Sequence, residues 1–324
     1  MSIQELKKNQ NGIALMVVLW VLVLLSALAT EFAYSMRTEV NATRNYKEDV
    51  ESYYIAKAGI QLAMAELLKE ARFHSIHPEY GFVSGIPKES EIKASEESAG
   101  EFEIINRTNI ELGRGTVTYQ ITDENGKTNV NRASREVLIK VLDASGMEIG
   151  EEQDIIADSI LDWIDRDDEH RLNGAESDFY LMKDEPYNAK NGSFDSLDEL
   201  LKVRGITREV LYGSESAGYS RERPFLGLVN FLTIQDIRIF NPNTASLGSL
   251  SVYFSEDKIA AIVKSIEEKG FYDETVSSHF RIEATGRLYN SGTKHTIVAI
   301  AQKFGIDDEA TLLIRYWKDN ALKL

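Results

Sequence analysis

The sequence predicts an α+β protein in which one long N-terminal helix packs on an antiparallel sheet and a large all-helical insertion separates the strands. Three observations lead there. From Ile13 to Leu68 the chain has no proline and a single glycine, Gly59, so a helix can run unbroken from an apolar beginning into polar sequence. Strand-like runs stand on either side of the rest, within 101–127 and 277–318. Between them, over 128–276, apolar residues recur at three- and four-residue spacing.

The helix comes first. At 1.5 Å per residue it would be roughly 80–85 Å long. Its first part, Ile13 to Thr30, is uncharged and apolar, and spans about 27 Å, just enough for a bilayer. Its second part, 31–72, carries charged and apolar residues suited to a protein core. His74 to Gly100 is rich in Pro, Gly, Ser and Glu without a clear period and reads as a linker. Strands are expected at EFEIINR from Glu101 and GTVTYQIT from Gly115, with a turn through Gly113 between them and a turn DENGK after them. Arg132–Asp143, Glu151–Asp165 and the stretch after Glu256 read as helices, with two shorter pieces, Ser196–Val203 and Arg204–Leu211, about Gly205. Three strands close the chain: His279–Leu288, Lys294–Lys303 and Ala310–Trp317, the first two joined by NSGT at Asn290. An inserted block lets the strands on either side of it remain neighbours.

Composition narrows the function classes. The net charge of −16 argues against a general nucleic-acid surface, and the helix–Gly–helix look of LLKVRGIT is not assigned to DNA for the same reason. Between Asp143 and Glu199 there are eighteen Asp or Glu against four Lys or Arg, so most of the net charge lies there. The absence of cysteine excludes disulfides, thiolate metal sites and cysteine nucleophiles.

The N-terminus admits three readings. A removed signal peptide could end at Ala27-Leu28-Ala29. A plain anchor would use the same apolar run. The third is cleavage between Gly12 and Ile13, after a short leader (1–12) containing Lys7 and Lys8, which leaves the apolar helix on the mature chain. The helix-compatible sequence beyond Ala29 favours the third, because a discarded peptide needs no continuation in register. This arrangement resembles type IV pilin and pseudopilin precursors. The basic leader places the N-terminus in the cytoplasm and the remainder outside. Most such proteins carry a glutamate as the fifth residue after the cleavage point, whereas this chain has Val17. An intramembrane carboxylate is expensive unless it has a function, so its absence suggests a subunit that does not make that contact.

Two further patterns lie in the insertion. Asn129-Val-Asn-Arg-Ala-Ser134 and Asn241-Pro-Asn-Thr-Ala-Ser246 are near copies, each placed to cap a helical stretch. Asp162 to Tyr180 is a loop dense in carboxylates. Asp165, Asp167 and Asp168 crowd the end of a helix, where the macrodipole disfavours negative charge, and Glu176 and Asp178 follow a turn at Asn173-Gly174. A calcium ion takes six to eight oxygens in flexible geometry and would relieve the repulsion, although the spacing is not an EF-hand. A solvated acidic loop and a catalytic carboxylate pair are the competing readings. His170 could favour a transition metal, but a single histidine among carboxylates is more often surface.

Taken together, KKNQNGIALMVVLWVLVLLSALA without the intramembrane glutamate, YYIAKAGIQLAMAEL, NVNRAS, LDWIDRDDEHRLNGAESDFYL, FDSLDELLKVRGIT and NPNTAS resemble the minor pseudopilin K family of type II secretion. The resemblance implies a pilin-like fold and a non-enzymatic subunit at the tip of a pseudopilus, starting or capping its assembly for export of folded proteins across the outer membrane. It implies partners: other minor pseudopilins in a ternary tip complex, the major pseudopilin, the inner-membrane assembly platform, prepilin peptidase and the lipid bilayer, with no nucleic acid. It implies one or two Ca²⁺ ions on Asp165, Asp167, Glu176 and Asp178, with Asp162 and Asp168 as further candidates. Cleavage after Gly12 with N-methylation of Ile13, and an inner-membrane anchor with a periplasmic C-terminal domain, complete the expectation. A minor pilin of a related type IV pilus-like fibre and a membrane-anchored metal-dependent hydrolase are the alternatives.

Overall fold

The computed structural model describes residues 3–68, 74–77, 81–84, 107–213, 225–269, 271–273, 275–305 and 309–319. Helix α1 runs from Ile3 to Leu68 without interruption. From Ile13 to Lys47 its side chains are exposed, Trp20 at 73% and Leu15 at 66% among them. Among the described residues it is the one helix long and apolar enough to cross a membrane. Past Glu48 the same helix becomes part of a core. Ala56, Ile60, Ala63 and Leu67 are fully buried at helical spacing, which puts them on one face.

That face lies on a five-stranded antiparallel sheet of order β3-β4-β7-β8-β9: β3 (Ile110–Leu112), β4 (Gly115–Asp123), β7 (His279–Leu288), β8 (Lys294–Phe304) and β9 (Thr311–Lys318). Alternation determines which side chains meet α1. Val117, Tyr119 and Ile121 of β4, Phe280, Ile282 and Ala284 of β7, and Ile297, Ala299 and Ala301 of β8 all join the helix in one cluster. The approach at Gly286 is closest: a Cβ there would stand 2.2 Å from the Ser52 carbonyl oxygen and 2.6 Å from the Ala56 nitrogen of the helix backbone. Glu66, buried in this core, accepts from Arg107 Nε at 3.2 Å and from the Tyr119 hydroxyl at 3.2 Å. Burial, followed by that carboxylate, pushes the Tyr119 phenol up to about 12.

β4 pairs directly with β7, Asp123 opposite Phe280, so residues 124–278 leave and re-enter the sheet at adjacent points. The helical block between them contains α2 (Arg135–Ala144), α3 (Glu151–Ile164), α4 (Ser177–Leu181), α5 (Arg208–Tyr212), α6 (Leu247–Tyr253) and α7 (Glu256–Lys269). A two-residue parallel pairing, β5 (Thr128–Asn129) with β6 (Leu232–Thr233), ties its start to its middle. The block has its own core, built from Leu138, Leu142, Ile156, Ile160, Trp163, Tyr180, Leu200 and Leu211, separate from the α1–sheet core.

The two Asn repeats perform one task twice. Asn129 and Asn241 each accept the N–H two residues on, at 2.9 and 3.0 Å. Asn131 then clasps Phe194 through both its amide groups, and Asn243 clasps Tyr272 and Asp273 in the same manner. Ser134 and Ser246 cap α2 and α6.

Local expectations differ from the structure in three places. The stretch 74–100, read as a linker, holds a short antiparallel hairpin, β1 (His74–His77) with β2 (Gly81–Ser84). Four residues a side are too few to leave a periodic signal. Most of the strand expected from Glu101 lies outside the described residues, and the strand before the Gly113 turn is Ile110–Leu112. Ser196–Val203 forms a 3₁₀ turn, Leu197–Lys202, rather than an α-helix.

Candidate metal centre

Helix α3 delivers the first part of the site. Trp163 is buried, its ring 5.2 Å from that of Tyr180, edge to face, and 6.3 Å from that of Phe194, stacked. With Trp163 anchored, Asp162 is fully buried beside it and Asp165, three residues on, ends the helix in extended backbone. The loop then turns at Asn173 and Gly174. A Cβ on Gly174 would stand 1.8 Å from Asp162 Oδ2, so only glycine lets the loop close over that carboxylate. Glu176 follows as the residue that opens α4.

Asp165, Asp167 and Glu176 each offer a carboxylate oxygen, and these oxygens lie within 4.8 Å of one another. Both oxygens of Glu176 and Oδ1 of Asp165 are buried without a hydrogen-bond partner. Glu176 is 1% exposed. Burial first, then the charges of Asp162, Asp165 and Asp168, push its carboxyl up to about 7. Buried carboxylates are normally paired or bound to metal, so orphaned oxygens on two members of a cluster of three carboxylates fit a cation. The donors are all oxygen, which suits a hard ion such as Ca²⁺ or Mg²⁺ and not a soft one.

The remaining predicted residues are placed differently. Asp162 accepts from Arg171, Nη1 to Oδ1 at 2.6 Å, and from its backbone N–H; burial still raises its pKa. Asp168 accepts from Asn191 Nδ2 at 3.2 Å. Asp178 lies outside the group of three, its Oδ1 2.9 Å from His170 Nε2 and 2.7 Å from the Phe179 N–H. His170 is thereby engaged away from the three carboxylates.

Arg171 went unnoticed in the sequence reading. Its Nη1 bridges Asp162 and Asp165, at 2.6 and 2.5 Å, so the loop holds a cation of its own between two of its carboxylates. The only sequence signal was an arginine, one of two with Arg166, inside an acidic run. Arg171 leaves Glu176 unpaired, and the excess of carboxylates persists. Asp158 supports the loop from below, accepting from Asn173 N at 3.3 Å and from Arg135 Nε at 2.6 Å.

Comparisons with known proteins bear on the family of the chain. Residues 110–216, which include the acidic loop, match the family model described as Type II secretion system (T2SS), protein K. A putative type II secretion system protein K of Escherichia coli K12 is 23% identical over 257 residues, 72% of this chain and 70% of that protein. Type II secretion system protein K of Pseudomonas aeruginosa PAO1 is 24% identical over 278 residues, 82% of this chain and 75% of that protein. Among solved structures, a chain of the GspK-GspI-GspJ complex from the enterotoxigenic Escherichia coli type 2 secretion system superposes with a TM-score of 0.60. Identity there is 13%, over 87% of this chain and all of that one.

Proposed function

We propose that this chain, a minor pseudopilin of the type II secretion protein K kind, sits at the tip of a pseudopilus and starts or caps its assembly. One observation carries the reading: a helix exposed from Ile13 to Lys47 and apolar from Ile13 to Thr30 becomes, without a break, the spine of a folded domain. Such a helix ties a folded head to a bilayer and offers neighbouring subunits a long surface. The role at the tip is supported by the size of the head, since a block of about 150 residues inserted between β4 and β7 would be hard to fit along a shaft. It is also supported by Val17, where no carboxylate waits for a neighbour's amine.

In this reading prepilin peptidase cuts between Gly12 and Ile13 and methylates Ile13. Ile13 to Thr30 then anchors the chain in the inner membrane, with the head in the periplasm. Two other minor pseudopilins, of the kind named in the solved GspK-GspI-GspJ complex, join it, and the fibre they begin drives folded proteins outward. A calcium ion stiffens the head. Asp165, Asp167 and Glu176 would hold it, while Asp178 would first have to leave His170. The ion supplies charge balance, and no reaction is assigned to it.

The mature N-terminus tests this directly. Mass spectrometry of the chain isolated from membranes is expected to find N-methylated Ile13. A mature chain beginning at Thr30 would mean a lost signal peptide and would overturn the assignment.

A further inference from the structure

His295 of β8 carries a carboxylate on each ring nitrogen. Its Nδ1 stands 3.0 Å from Asp49 Oδ1 of α1, and its Nε2 stands 2.5 Å from Oδ1 of Asp319, the residue after β9. The residue is 4% exposed. Tyr53, one helical turn beyond Asp49, meets the imidazole edge to face at 5.3 Å. A neutral imidazole has one N–H and one lone pair, so it can donate to one carboxylate only. Carboxylates at hydrogen-bond distance from both nitrogens therefore call for the imidazolium. Burial opposes that charge, but the bonds to Asp319 and Asp49 outweigh it and hold the ring's pKa above the ordinary 6.5.

The other charged groups nearby are directed elsewhere. Gly286 pairs with His295 across the ladder, and Ala284 and Leu288, on the same face of β7, carry no charge. Arg287 and Lys294 alternate to the opposite face. On α1, Glu48 accepts from the Ser291 and Thr293 hydroxyls at 2.7 and 3.2 Å, and Glu51 accepts from Arg114. Beside Asp319, the Lys318 ammonium is bonded to Asp198 of the helical block.

The ring thus joins three elements at one place. Asp49 lies where α1 passes from its exposed stretch, Ile13 to Lys47, into the head, and its backbone is fixed within the helix. Asp319 lies past the last ladder pair of β9, Val298 with Lys318, so its backbone is the less constrained of the two. A ring left with a single proton keeps one carboxylate, and Asp319 is the one free to withdraw.

We propose that His295 is a protonation-controlled clasp: as the imidazolium it ties the end of β9 to α1, and on losing a proton it releases Asp319 and loosens that end of the strand. Because the folded pKa exceeds the unfolded 6.5, the clasp contributes fully below 6.5 and is lost as pH rises through the raised folded value. It stands apart from the acidic loop and does not depend on the role at the tip.

The test is a pH titration of the full-length chain in detergent micelles, with histidine rings labelled with nitrogen-15. Both nitrogens of His295 are expected to carry protons at pH 6.5, with a midpoint above that value. Hydrogen exchange of the ladder amides of Tyr316–Lys318, corrected for its intrinsic pH dependence, is expected to quicken about tenfold through the same midpoint. His295→Gln is expected to exchange at the fast rate throughout. Asp319→Asn, altered at a half-exposed side chain, is expected to lower the ring's midpoint and to remove the step in exchange; it carries the test alone should His295→Gln not fold. A ring midpoint at or below 6.5 overturns the proposal. So does a parent without a step, or a step that persists in either variant.

Discussion

Two buried carboxylates illustrate how single residues are used here. Glu176 has no partner and is kept from water, so its charge is tolerable only beside a cation or with a proton bound. Glu176→Gln is expected to abolish calcium stabilisation. The parent at a hundred times its calcium dissociation constant should gain about 2.7 kcal/mol over its state in chelator. Thermal midpoints with calcium and with EDTA measure this, and a variant that keeps the parental shift would remove Glu176 from the site. Asp123, at the junction of sheet and insertion, is satisfied: it accepts from Thr244, Ser277 and the Asn125 N–H. Burial nonetheless outweighs those bonds and raises its carboxyl to about 6 from 3.8. Because the folded pKa lies above the unfolded one, the folded state holds the proton more tightly, and its stability falls as pH rises from about 4 to 6. Above that window the buried charge costs about 3 kcal/mol relative to the protonated form. Urea unfolding from pH 4 to 7 should show parent stability falling relative to Asp123→Asn over this range; parallel curves would disprove it.

At the scale of elements, the contact of α1 with β7 governs the head. The helix backbone rests on Gly286, and the sheet cannot yield without breaking its ladder. Gly286→Val should therefore cost about 2–3 kcal/mol, against less than about 0.5 kcal/mol for Gly292→Ala, where a Cβ meets nothing within 4 Å. Equal denaturant midpoints for the two variants would contradict the close approach. Much of this contact was legible beforehand. Three closing strands show in the sequence for different reasons: HFRIEATGRL because one face of β7 is buried and alternation survives, KHTIVAIAQK because β8 is an apolar run buried on both faces, and ATLLIRYW because of its β-branched and aromatic content. The 3₁₀ turn at Leu197–Lys202 did not show, since LDELLK has the composition of an ordinary helix and the tighter winding answers to tertiary packing.

For the whole molecule the decisive fact is that the described residues form two cores. One joins α1 to the sheet and the other lies within the helical block, and buried polar groups around Asp123, Asn125 and Asn241 connect them. A calcium ion at the acidic loop would touch only the second. Removing it with EDTA should speed hydrogen exchange in α3 and α4 while β7 and β8 keep their protection. Uniform acceleration would show that the cores unfold as one unit.

By itself the sequence determined the long helix, the strand-bracketed insertion, the acidic loop as the place of interest and the family resemblance. Those features are written in local periodicity and composition, which depend on near neighbours along the chain. Only the tertiary structure decided which carboxylates converge. Asp165, Asp167 and Glu176 meet where Gly174 lets the loop close over Asp162, while Arg171 ties Asp162 to Asp165 and His170 engages Asp178 outside the group. Spacing along the chain cannot rank carboxylates that all sit within one loop. The direction each side chain takes is set by the packing around Trp163 and by the charges it finds there.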